Sequence, residues 1–179
     1  MNMLDQFRLF SRYNQLMNQR IHSVAAKLSE EEISKNRGAF FGSLLGTLNH
    51  TLVGDTIWLR RFSTHPSSRE ALAPIHDWPQ PASLDQILYP QLDSLTEAQT
   101  AIDEMIIAWT DALPEQALSD TLSYKNMKGI SYRKNYASLI SHLFFHQTHH
   151  RGQATTLLSQ AGVDFGDTDM VEIISDEYS

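Results

Sequence analysis

Four of the chain's eight histidines, His142, His146, His149 and His150, fall within nine residues in the run HLFFHQTHHRGQ. The run lies inside a long apolar-periodic segment, so it is expected to be helical. A helix turns about 100° and rises about 1.5 Å per residue, so imidazoles three or four apart share a face on neighbouring turns. Two imidazoles so placed are a common beginning of a transition-metal site. Spacing leaves three pairs open: His146 with His150, His142 with His146, and His146 with His149. His142 and His150 stand about 12 Å apart along the axis, too far to share an ion easily.

Two imidazoles make a weak site, and a third must come from another element. His50 is the natural candidate, mid-helix with Leu48, Leu52 and Val53 around it. His22 is a poorer one, and His65 and His76 lie in a Pro-rich connection. A lone histidine on an apolar helix is more often a hydrogen-bonded core residue, and HQTHH alone could be a polar helical face. Together the two features favour a metal. The chain has no cysteine, which removes disulfides, thiolate nucleophiles and every cysteine-type zinc site.

The elements that must position these residues can be read from apolar spacing. Leu4, Phe7, Phe10, Tyr13, Met17, Ile21, Val24 and Leu28 predict a first helix over about 4–28. Ser29 and Glu32 read as a capping pair opening a short helix. A second long helix is expected over about 39–62, with His50 at its centre and Trp58 in the most apolar setting of the three tryptophans. Pro66, Pro74, Pro79 and Pro81 break the pattern between Ser63 and Ala82. Ser83 with Gln86 gives another capping signal, from which helix resumes to about Leu113, kinked or divided at Pro90. Residues 121–124 and 130–133 flank Lys125–Gly129 as a short hairpin. A last helix follows over about 135–160 and stops at Ala161-Gly162. The fold class is therefore all-α: a four-helix bundle with a long second connection and a short hairpin before the last helix.

Length and composition suit one soluble domain, expected over 1–162, followed by an acidic tail over 163–179. That tail holds six acids and no Lys or Arg. The net charge is −7, and no dense Lys/Arg cluster appears, which argues against nucleic acid as partner. No apolar run approaches the roughly 20 residues that cross a bilayer. The N-terminus lacks a signal-peptide core, so a cytoplasmic address is expected.

Asn49-His50 followed by Asp55 and Trp58-Leu59, then the string His146-Gln-Thr-His-His150-Arg151-Gly152-Gln153, closely resembles the damage-inducible DinB family of metal-binding bundles. The stretches RYNQLMNQRI and GAFFGSLLGTLNHTL also look like that family, and the resemblance runs from about Leu4 to Gly162. It implies an up-down-down-up bundle, a homodimer, and one divalent metal held by His50, His146 and His150. His142 and His149 then become neighbours of the site.

Three neutral imidazoles leave coordination positions open, as in catalytic rather than structural sites. An ion with no acid ligand keeps its charge and can bring bound water to a pKa of roughly 7, or hold a thiol as thiolate. Imidazole ligands suit zinc, nickel, iron or copper, of which zinc or nickel is the expected ion, and the family likeness implies a low-molecular-weight thiol as cosubstrate. Asn49, Asp55, His149 and Gln153 are the candidates to orient the ligand imidazoles. The Pro-rich connection and the hairpin could border a substrate mouth, with Tyr124, Tyr132 and Arg133 available. Relatives of this superfamily include thiol transferases, and that likeness implies a metal-dependent enzyme adding a small thiol to an electrophile in detoxification or stress response. The alternatives are a metal-dependent hydrolase and a non-catalytic metal-binding protein, whose ion would be closed off by His149 or an acid of the tail.

Overall fold

The computed structural model describes residues 2–175. Four long helices, α1 (Met3–Ala25), α3 (Leu44–Phe62), α4 (Leu92–Ala112) and α5 (Tyr136–Gln160), form the bundle, with a short α2 (Glu30–Ser34) between the first two. Strands β1 (Thr121–Lys125) and β2 (Ser131–Asn135) make an antiparallel hairpin before α5, in a register that pairs Tyr124 with Tyr132. Among the described residues no helix is long and apolar enough to cross a membrane.

Contacts between named residues give the helix directions. Asn18 meets Asp103 and His22 meets Thr96, so α1 and α4 run antiparallel. Asp55 meets Gln99 and Phe62 stacks on Trp109, so α3 and α4 run parallel. Trp58 lies against His142 while His50 lies against His150, so α3 and α5 are antiparallel. Phe7 stacks on Phe144 and Asn14 meets Arg151, which makes α1 and α5 parallel. The order is up, down, down, up.

Local chemistry starts and stops these elements. Asn2 and Asp5 form a reciprocal capping box on α1. Ser29, Ser43 and Asn135 each accept a backbone N–H three residues on, fixing the starts of α2, α3 and α5. Gly162, with φ +77°, ends α5 in the left-handed conformation that a residue without Cβ adopts freely. α3 begins at Leu44 rather than near Ala39, because residues 37–43 turn back on themselves through the Gly42 N–H to Ala39 carbonyl bond.

The capping signal at Ser83 and Gln86 opens no helix. The Gln86 side chain accepts the Ala82 N–H and Ser83 donates to Asp85, both within a turn. α4 starts only at Leu92, since proline at 90 disfavours the helical conformation in the residue before it. The whole stretch 63–91 is thus one long connection of turns with a 3-10 helix at Ala73–Asp77.

Leu52, Leu59, Phe62, Ile102, Trp109, Ile140 and Leu143 fill the core. Trp109, not Trp58, is the tryptophan with no exposed surface, and its indole N–H donates to Ser68 Oγ at 2.7 Å. Residues 163–175 run back along α1, where Arg20 pairs with Glu172 at 2.8 Å and Tyr13 donates to the Thr168 carbonyl. The last four residues of the acidic tail, with Asp176 and Glu177, lie outside the described residues.

Candidate metal centre

α3 and α5 cross so that His50, His146 and His150 turn their Nε2 atoms toward one point. The three Nε2–Nε2 separations are 3.2 Å (His50–His146), 3.1 Å (His50–His150) and 3.1 Å (His146–His150). Zinc–nitrogen bonds of about 2.0–2.1 Å in a tetrahedral arrangement give an edge of about 3.3 Å, close to this triangle. Of the three pairs that spacing left open, only His146 and His150 converge with His50 among the described residues.

His50 Nδ1 lies 2.7 Å from the Leu84 carbonyl oxygen, which can only accept, so Nδ1 carries the proton and Nε2 is bare. His150 Nδ1 lies 2.8 Å from Gln153 Oε1, and the same reasoning leaves its Nε2 bare. Two bare lone pairs 3.1 Å apart repel unless a positive charge sits between them. Burial lowers the pKa of all three rings, His146 to about 3 and His150 to about 4, with the neighbouring imidazoles adding to the effect. They are neutral donors at ordinary pH. The donor set fits a divalent ion.

Neighbours hold the rings in place. Phe41 stacks on His50 with centroids 3.8 Å apart and meets His150 edge-on. Gly54, one turn after His50, leaves room for His146: a Cβ there would lie 2.5 Å from His146 Cε1. His146 Nδ1 is buried and has no hydrogen-bond partner among the described residues.

The other candidates take separate places. Gln153 orients His150, and its amide nitrogen lies 3.3 Å from His149 Nε2. Asn49 makes no hydrogen bond to an imidazole among the described residues; its amide bonds both the carbonyl and the N–H of Tyr89, at 2.9 Å each. Asp55 faces away from the histidines into a buried polar layer with Gln99 and Gln147, and Gln99 links it to Asp103. Burial raises Asp55 to about 7 and Asp103 to about 8. His142 packs on Trp58, and His22, His65 and His76 meet Thr96, Tyr136 and Ser63 respectively.

The centre opens on a cleft of about 550 Å³ whose walls include His50, His146, His142, Trp58, Arg61 and Tyr132. Leu84 of the long connection and the hairpin turn at residues 126–130 close its rim. Tyr124 packs edge-on to Trp58, whereas Arg133 bonds Thr121 and lines no part of the cleft.

Sequence reasoning did not reach Phe41, Leu84, Gly54 or Arg61. Gly54 and Arg61 had a signal, since both lie on the helical stripe of His50, at four and eleven residues on. The Leu84 contact is a backbone carbonyl and has none.

An up-down-down-up bundle with three converging histidines on its second and last long helices defines a class of metal-binding bundle. The chain belongs to the DinB family, whose sequence model matches residues 3–177. It is 25% identical over 163 residues to Protein DinB of Bacillus subtilis (strain 168), covering 91% of this chain and 90% of that protein. No solved structure matches the chain.

Proposed function

We propose that the chain is a metal-dependent enzyme that holds one divalent ion, zinc or nickel, on His50, His146 and His150, and transfers a low-molecular-weight thiol to an electrophile. The observation that carries this reading is the convergence of three neutral imidazoles, two of which, His50 and His146, line a cleft. Such an ion supplies Lewis acidity, lowering the pKa of a thiol or water that reaches it. The protein's own part is positioning. Leu84 and Gln153 fix the tautomers of His50 and His150. Phe41 shields one side of the triangle, and Trp58 and Tyr132 offer aromatic walls to a small organic substrate.

A closed, purely structural ion finds less support. His149 Nε2 is engaged with Gln153, and Glu172 of the tail is engaged with Arg20. A second copy of the chain is the expected partner. The exposed Phe145, beside an apolar groove lined by Phe10, Phe144 and Met170, supports a dimer through α1 and α5.

The test is metal content followed by turnover. Wild type loaded with zinc or nickel is expected to carry one ion per chain and to consume a small thiol in the presence of an alkyl-halide electrophile. Product formed at the same rate without thiol would replace transfer by hydrolysis. Absence of stoichiometric metal would remove the enzyme reading altogether.

A further inference from the structure

In a chain of net charge −7 the surroundings of the cleft carry the opposite sign. Arg61 and Lys128 line it, and the adjoining cleft of about 590 Å³ adds Arg60 and Lys125. Among the described residues neither cleft is lined by an Asp or Glu. Asp85, which accepts a hydrogen bond from Ser83, lies toward the His50 end, so the positive sign belongs to the Arg61 end of the cleft.

Arg61 is the distinctive member. Its guanidinium lies 4.6 Å over the Trp58 ring and 5.0 Å over the Tyr124 ring, and it is half-buried. Among the described residues it takes part in no ion pair. A guanidinium that is partly desolvated, stacked on two rings and without a carboxylate keeps its fork of N–H donors free for an incoming anion.

Helix geometry sets the distance. Eleven residues separate His50 from Arg61, which is three turns to within about 20° and about 16 Å along the axis. His50, Gly54, Ile57, Trp58 and Arg61 therefore form one stripe down the cleft, with the histidine centre at one end and a cation at the other.

We propose that the small molecule reaching the histidine centre carries an oxyanion, a carboxylate or phosphate-type group, at its far end, and that Arg61 is the specificity-determining residue that receives it. This rests on the metal-centred reading of the cleft for the identity of the other end. The occupant is then an elongated, anionic thiol or electrophile, and cationic amines are disfavoured.

The test uses cobalt-loaded full-length protein and four alkyl thiols of equal length ending in carboxylate, phosphonate, hydroxyl or ammonium. Two signals are followed: the thiolate-to-cobalt absorption band, and tryptophan fluorescence, to which Trp58 against Arg61 contributes. Wild type is expected to bind the better oxyanion about tenfold tighter than the alcohol, the scale of one partly exposed charge-assisted hydrogen bond. Arg61→Gln should erase that preference, Arg61→Lys should restore part of it, and Arg133→Gln should leave it intact. Whichever of carboxylate and phosphonate binds tighter names the oxyanion. Equal binding of acid and alcohol in wild type, or a preference that survives Arg61→Gln, overturns the proposal. If no thiol gives a cobalt band but fluorescence still shows the Arg61-dependent preference, the thiol-on-metal reading fails and the oxyanion site stands.

Discussion

Gly54→Ala separates the metal centre from the stability of the helix that carries it. The added Cβ would stand 2.5 Å from His146 Cε1 and 3.1 Å from its Nδ1. Ordinary carbon contacts begin near 3.5 Å, so the ring must retreat by about 1 Å. Productive constellations tolerate about 0.5 Å of displacement, so the His146 lone pair leaves the triangle. Metal affinity is expected to fall by about a hundredfold or more, at or beyond the upper end of what loss of an orienting neighbour costs. The same change exchanges a helix-interior glycine for alanine, which favours the helix by about 1 kcal/mol. The melting temperature of metal-free protein should therefore hold or rise while bound metal is lost. Metal counted by mass spectrometry, beside thermal unfolding in chelator, reads both. One tightly held ion per chain in Gly54→Ala, or a lowered melting temperature with the ion retained, would show that the two helices part instead of the ring moving, and would refute the reasoning.

His50→Ala, His146→Ala and His150→Ala should each abolish stoichiometric metal, whereas His142→Ala and His149→Ala should keep it; retention in His50→Ala would dissolve the site between α3 and α5. Burial lifts Asp55 to about 7 and Asp103 to about 8, above the roughly 3.9 of an unfolded aspartate. A carboxyl that holds its proton better when folded contributes fully below about pH 4 and loses that contribution as pH rises toward 8. The buried His22, lowered to about 4, acts in the opposite sense, losing stability as pH falls below its unfolded value. The comparison is therefore with Asp103→Asn, which should gain stability relative to wild type as pH rises from 4 to 8; parallel urea-unfolding curves would refute the assignment. Trp109→Ala should cost about 3–5 kcal/mol in denaturant unfolding, as full burial implies, and more than Trp58→Ala at the cleft wall.

Periodicity was enough to place α1, α5 and the hairpin, because each has a long apolar stripe or a clean turn bounded by capping residues. It failed where a local signal had two meanings. Ser83 and Gln86 have the chemistry of a cap, yet the same side chains close a turn ahead of Pro90, and only tertiary contact decides. Trp58 is buried, as its aliphatic neighbours suggest, although it also borders the cleft and Trp109 is buried more completely. For the site, spacing could not choose among three histidine pairs, since all satisfy helical geometry. The choice belongs to α3, which approaches α5 on the side of His146 and His150. Asp55 shows the same limit, because five residues carry it round the helix from His50 into a polar layer that no pattern on α3 alone reveals.

The connection over 63–91 hangs from α3 by three hooks: the Arg60 guanidinium on the Trp78 carbonyl, the His50 Nδ1–H on the Leu84 carbonyl, and the Asn49 amide on both polar groups of Tyr89. Affinity of the centre and order of this segment are therefore linked quantities, and linkage is reciprocal. An ion that fixes the His50 ring holds its end of the loop shut, so the backbone N–H of Tyr89 should exchange with solvent deuterium more slowly in metal-loaded protein. Conversely, any change that unhooks the loop is expected to return its ordering entropy as weakened metal affinity.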